Sequence, residues 1–254
     1  ESDMPARPPC VPVLLLVAAL AAAGPSSLRA QIPDAFENLQ VLPEDISRDS
    51  LVQLMRSFSF ATGLGCDDCH VMGEDGSFRG ARYDLDDKVA KRQARYMLEM
   101  VNRLNEELLP GLPERAEPLL RVECKTCHRG LRRPHLLRTE LREVIAAHGV
   151  DSAITRYREL REHAMEDGAY DFGVWEMNEL ARQLVAGGQV EEAVAMLELN
   201  EEFHPRDASI PRELGILHER LGRTDAAIAA YRRALGLNPR DGRSLERLAA
   251  LGGS

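Results

Sequence analysis

Cys66-Asp67-Asp68-Cys69-His70 recurs later in the chain as Cys124-Lys125-Thr126-Cys127-His128. The repeated pattern is two thiols three residues apart with an imidazole directly after the second. On a short helical turn, thiols at that spacing can both reach the vinyl groups of one haem and form thioethers. The following His then points its ring at the iron as the proximal ligand. Of the five Cys, only Cys10 falls outside the two motifs. The spacing therefore points to two covalently bound haem c groups, attached through Cys66, Cys69, Cys124 and Cys127, with His70 and His128 on the irons.

Other uses of the same residues have to be weighed. Four Cys in an exported chain could form two disulfides. Two C-x-x-C pairs could give a zinc site with four thiolates. A redox-active C-x-x-C of the thioredoxin type would need a βαβ setting, which the sequence does not show. Two copies of the full five-residue pattern favour haem over all three.

Composition narrows the class further. Across 254 residues, 32 basic side chains meet 41 acidic ones, for a net charge of −9. Nucleic acid is then a poor partner, because a duplex-binding surface needs a basic field. Aromatic residues are only 5%, too few for a barrel or sandwich built on aromatic-rich strands. Residues 31–138 carry a net −2 and residues 139–254 a net −7, which separates two units of different character.

Residues 1–30 read as upstream residues followed by a signal peptide. Glu1 to Asp3 precede the first Met; Arg7 gives a positive start; Val11 to Ala23 is apolar apart from Pro12; and Ser26, Ser27 and Ala30 form a small-residue end. The apolar run is shorter than the ~20 residues that span a bilayer. The expectation is an exported protein, periplasmic or extracellular, that does not span the membrane once the leader is removed.

Each iron also needs a sixth ligand. Asp49 to Thr62 reads as a helix with Leu51, Leu54, Met55 and Phe58 on one face. Lys88 to Leu109 reads as a longer helix with the stripe Ala90, Ala94, Met97, Val101, Leu104 and Leu108. Met55 and Met97 are candidate thioether ligands, with Met100 one turn on as the second choice for the second haem. The plain alternative is that these Met fill core gaps. His135 follows His128 too closely to cross to the opposite face of the haem. His148, His163, His204 and His218 lie in the other unit.

With these residues in view, the stretch from about Asn38 to Pro134 resembles one half of the photosynthetic reaction centre cytochrome c subunit, a tetrahaem family. The resemblance rests on Asn38-Leu39-Gln40-Val41-Leu42, the helix carrying Met55, Gly65 before Cys66, Ala94-Arg95-Tyr96-Met97-Leu98-Glu99-Met100, and Cys124 through Gly130. It implies a helix before each motif that supplies the axial Met: Met55 for the first haem and Met97 for the second, with Met100 at a non-ligand position. The family has four haem motifs and this chain two, and no His lies between Met72 and Glu123. A photosynthetic role therefore does not follow from the resemblance.

From Thr139 onward the pattern changes to helices with a period. Ala193, Leu197 and Pro205 recur 34 residues on as Ala227, Tyr231 and Pro239; Gly188-Gln189-Val190 pairs with Gly222-Arg223-Thr224, and Leu180-Ala181 with Leu214-Gly215. This resembles the tetratricopeptide repeat (TPR). Gly149, Ala153 and Tyr157 fit an earlier unit out of the 34-residue register. Trp175 either packs between units or is plain core. The fold class expected is mainly α: a multihaem cytochrome c domain with few strands over 31–138, then a short TPR-like α-solenoid over 139–254.

The function expected is single-electron transfer between a redox protein donor and acceptor, with the repeats binding a protein partner or a second copy. Two alternatives stand beside it: a subunit of an extracellular polymeric cytochrome filament, and, more remotely, a dihaem peroxidase, which would need an open iron and acid–base residues beside it. Arg129, Arg132, Arg133 and Arg138 either attract an anionic partner or neutralise haem propionates.

Overall fold

The computed structural model describes residues 35–114, 118, 120–165 and 168–253. The expected leader, residues 1–30, lies outside them. Ser47 caps the first helix, α1 (Arg48–Thr62), by accepting a hydrogen bond from Ser50 N, and Gly63 ends it in the left-handed region at φ 71°. The first motif forms the single turn α2 (Cys66–Cys69). A loop with one antiparallel bridge, Val71 to Arg82, leads to α3 (Val89–Arg103), which continues into a π-helical turn, Leu104–Leu108. The second motif forms α4 (Cys124–His128). The few strands expected reduce, among the described residues, to that one bridge.

Seven helices follow: α5 (Leu137–His148), α6 (Val150–Ala164), α7 (Val174–Ala186), α8 (Val190–Phe203), α9 (Ser209–Arg220), α10 (Thr224–Leu237) and α11 (Gly242–Ala250). They pack as pairs, α5 on α6, α7 on α8 and α9 on α10, with each pair against the next and α11 closing the end on α10. The 34-residue period is visible in the packing. Ala153, Ala193 and Ala227 are all fully buried where two helices cross, and Tyr157, Leu197 and Tyr231 fill the space one turn on. The first unit falls out of register because the connection from α6 to α7 is longer than that from α8 to α9.

At one crossing the approach is close enough to exclude any side chain. A Cβ on Gly215 would sit 2.6 Å from the Tyr231 ring. The preceding unit has Ala181 at that place, facing the smaller Leu197. Trp175 is not a wedge between units: it is 58% exposed, with the Arg138 guanidinium 5.1 Å from its ring centroid. Nor does it belong to the core.

The core lies almost wholly in this C-terminal array, from Leu137 onward. Among the described residues before Leu137, the only buried apolar side chain is Ala61, and the only buried polar one is Lys91. Helices α1 and α3 thus carry amphipathic faces with no protein core to cover them. No helix among the described residues is long and apolar enough to cross a membrane.

Candidate haem site

Those uncovered faces surround a single cavity of about 1340 Å³. Ligand pockets for small molecules run to ~1000 Å³, so this one has room for something larger. Both motifs reach it: Cys66, Cys69 and His70 from α2, and Cys124 and His128 from α4. Cys127 is exposed and does not form part of its wall. Met55 and Met97 line the cavity; Met100 does not, and is 39% exposed.

Each motif is built by local hydrogen bonding. In the first, the Asp68 carboxylate accepts from Gly65 N at 2.8 Å and His70 N donates to Cys66 O at 2.9 Å, closing the turn. In the second, Thr126 Oγ1 accepts from Glu123 N at 3.0 Å, and Arg129 ends the turn in the left-handed region at φ 51°. The motifs are also cross-braced. Helix α1 packs on α4 and helix α3 on α2. Gly130 N donates to Ala61 O at 2.8 Å, and Lys125 Nζ sits 3.9 Å from the Phe60 ring centroid. Behind α3, the Asn105 amide donates to Val122 O and accepts from Val122 N, both at 2.8 Å, fixing the segment that enters the second motif.

The two imidazoles are held differently. His128 Nδ1 lies 2.8 Å from Leu131 O. A carbonyl only accepts, so the proton is on Nδ1 and Nε2 keeps its lone pair for a metal. His70 Nδ1 is buried with no hydrogen-bond partner among the described residues. Its ring is held edge-on against Tyr83, centroids 5.1 Å apart. Burial pushes the His70 imidazole below its ordinary proton affinity, and Lys91 and Arg95 push the same way, so the ring stays neutral and able to ligate.

The thiols bear on the rival readings. Burial raises Cys69, with Asp68 adding to it, and burial raises Cys124. Neither thiol is depressed in the way that activates a redox Cys-x-x-Cys nucleophile. No group of three or more His, Cys, Asp or Glu among the described residues is placed to hold a metal ion, so the two pairs do not converge on one. All four Cys are free.

A large planar apolar group with an iron fits what is present. The cavity is large, the walls are apolar side chains such as Phe58, Phe78 and Val89, and imidazoles and thioethers line the space from different elements. Of the Arg run, Arg132 and Arg133 line the cavity, Arg133 also pairing with Glu143 and Arg138 with Glu176, both at 2.5 Å. His135 is engaged by Glu140 at 2.8 Å and by Tyr170 at 3.3 Å, away from the cavity wall. Sequence reasoning missed Lys91, Tyr83 and Asn105. For Lys91 there was a signal: it is one of only three Lys in an Arg-rich chain.

Comparison with known proteins agrees with this geometry. Residues 212–251 match the tetratricopeptide repeat. Among solved structures, "First TPR of Spaghetti (RPAP3) bound to HSP90 peptide SRMEEVD" is similar at 15% identity over 46% of this chain and 87% of that one, with a TM-score of 0.32. No curated protein matches. Residues 16–165, more than half of the chain and reaching through α6, match the family described as "Photosynthetic reaction centre cytochrome C subunit". With both Cys-x-x-Cys-His motifs reaching one cavity and that match extending through them, this chain belongs to the photosynthetic reaction centre cytochrome c subunit family, here joined to tetratricopeptide repeats.

Proposed function

We propose that this protein is an exported two-haem electron carrier, with residues 31–138 holding the haems and residues 139–254 docking a protein partner. Family membership gives covalently bound haem c and electron transfer; members of the family work outside the cytoplasm. The observation that carries the finer reading is the single cavity shared by both motifs, Met55 and Met97.

Haem c, when bound, supplies a one-electron iron couple. The chain's own residues do the rest. Cys66, Cys69, Cys124 and Cys127 would anchor the groups covalently. His70 and His128 would supply imidazole ligands to the irons. Met55 and Met97 present soft thioethers from helices packed on the opposite motif, and a thioether favours the reduced metal. The exposed Met100 is the weaker candidate.

Among the described residues, no imidazole other than His70 and His128 lines the cavity, which favours a carrier over a peroxidase with a distal His. The partners proposed are a redox protein donor and acceptor, with the repeats docking a protein or a second copy. Location is periplasmic or extracellular.

The test is intact mass and a haemochrome spectrum on the holoprotein. Two haems retained through acid–acetone extraction support the reading. Release of free haem, or one haem per chain, overturns it. Sizing of the native protein then separates a carrier from a filament subunit.

A further inference from the structure

The two motifs differ in hydrogen bonding and in the buried charge beside them: Arg132 and Arg133 line the cavity after the second motif but are exposed, whereas the cation beside the first is buried. Lys91 is the only buried charged side chain among the described residues before Leu137, at 9% exposure, and it lines the cavity. Its Nζ donates to Tyr83 O and Leu85 O, both at 2.6 Å, and pairs with Asp86 Oδ1 at 3.1 Å. Arg95, also at the cavity, pairs with Asp86 Oδ2 at 2.6 Å and donates to Asn38 O at 2.8 Å. Lys91 and Arg95 share the one carboxylate of Asp86, and of these groups only Lys91 is buried. Nearby Asp84 is already bound by Arg82 through two hydrogen bonds at the surface.

This cluster serves the first motif alone. Lys91 holds the backbone of Tyr83, and the Tyr83 ring packs edge-on against His70. The second motif has a different device. His128 donates Nδ1–H to Leu131 O, a bond that makes a ligating imidazole more basic. His70 makes no such bond to any described residue.

We propose that Lys91 sets the order of the two reduction potentials, so that the iron held by His70 takes an electron before the iron held by His128. A buried positive charge favours the reduced, less positive iron. A more basic proximal imidazole favours the oxidised one. The upper potential thus belongs to the first motif and the lower to the second. One electron from the donor that enters at the His128 side passes to the His70 side, with no bond made or broken. The inference rests on the two-haem reading above.

The experiment is a spectroelectrochemical titration of the holoprotein, wild type and with Lys91→Gln and Lys91→Arg, after the haem count has been fixed. Two midpoints are expected. Lys91→Gln keeps a hydrogen-bond donor but removes the charge. It should lower the upper midpoint by about tenfold in the reduction equilibrium, ~59 mV for a one-electron couple, and leave the lower one in place. Lys91→Arg should restore the upper midpoint. NMR of ¹⁵N-labelled histidine during stepwise reduction should show His70 sensing the first electron. That measurement needs no variant and decides the order even if Lys91→Gln fails to fold. A merely structural Lys91 would alter melting and leave the midpoints alone. One unresolved midpoint, His128 sensing the first electron, or Lys91→Gln moving both midpoints equally or neither would each overturn the ordering while leaving the two-haem reading intact. A haem count other than two overturns both.

Discussion

Gly63 joins the end of α1 to the second haem motif, and replacing it with Ala measures that junction. The residue sits at φ 71°, where an L side chain costs ~1–2 kcal/mol. A Cβ there would also lie 2.6 Å from Gly130 O. That oxygen is backbone, two residues after His128; its own peptide is tied back by Leu131 N donating to His128 O, and the preceding one by Gly130 N donating to Ala61 O, both at 2.8 Å. It cannot rotate aside, so α4 has to move away from α1, at the ~1–3 kcal/mol typical of forced overpacking. The two contributions together predict a loss of ~2–5 kcal/mol for Gly63→Ala. Gly76→Ala is the control. Gly76 has φ 75° with nothing within 4 Å of the added carbon, so it should lose only the ~1–2 kcal/mol of backbone strain. Denaturant titration of the holoprotein, followed at the haem absorbance band, reads both. Gly63→Ala should also disturb the spectrum of one haem, because the displaced turn carries Cys124 and His128. Equal losses for the two variants would mean that α1 does not abut the second motif, and the shared cavity would fail with it.

Three further outcomes follow from the same packing. Met97→Ala should open one iron to carbon monoxide while Met100→Ala should not, since only Met97 lines the cavity; carbon monoxide difference spectra decide, and the reverse result would move the ligand one helical turn. Gly215→Ala should cost up to ~2 kcal/mol net, as overpacking against the buried Tyr231 ring opposes the ~1 kcal/mol gain in helix propensity, and in a Tyr231→Leu background the same change should instead raise the melting temperature relative to Tyr231→Leu alone. Burial works to raise the Glu140 carboxyl, but His135 and Arg156 outweigh it and hold it below the usual range. The unfolded chain therefore binds more protons through the normal Glu range near ~4.3. The stability this group contributes is present above that pH and is lost as pH falls through the depressed native value. Glu140→Gln should flatten this acid limb in denaturant titrations.

Much of this protein is written in short-range pattern. The Cys-x-x-Cys-His spacing needs only one helical turn to put thiols and imidazole together, so both attachment sites can be read without any knowledge of the fold. The α1 and α3 helices follow from their apolar stripes, although the stripe running on to Leu108 did not reveal that α3 gives way to a π-helical turn at Leu104. The helix pairs follow from Ala153, Ala193 and Ala227, because each pair is a local unit whose buried crossing tolerates only a small side chain. What the sequence could not determine is long-range. That α1 braces the second motif and α3 the first depends on contacts between segments far apart in the chain. That Trp175 faces solvent, and that Met97 and not Met100 faces the cavity, depends on which side of a helix its neighbours happen to cover. Lys91 is the sharpest case. A lysine between Ala90 and Arg92 reads as a solvated surface charge, and only the folded loop from Tyr83 to Asp86 supplies the two carbonyls and the carboxylate that let its ammonium be buried beside the cavity. Local pattern fixes which atoms meet within a turn; burial and charge at a site are set by what the rest of the chain brings to it.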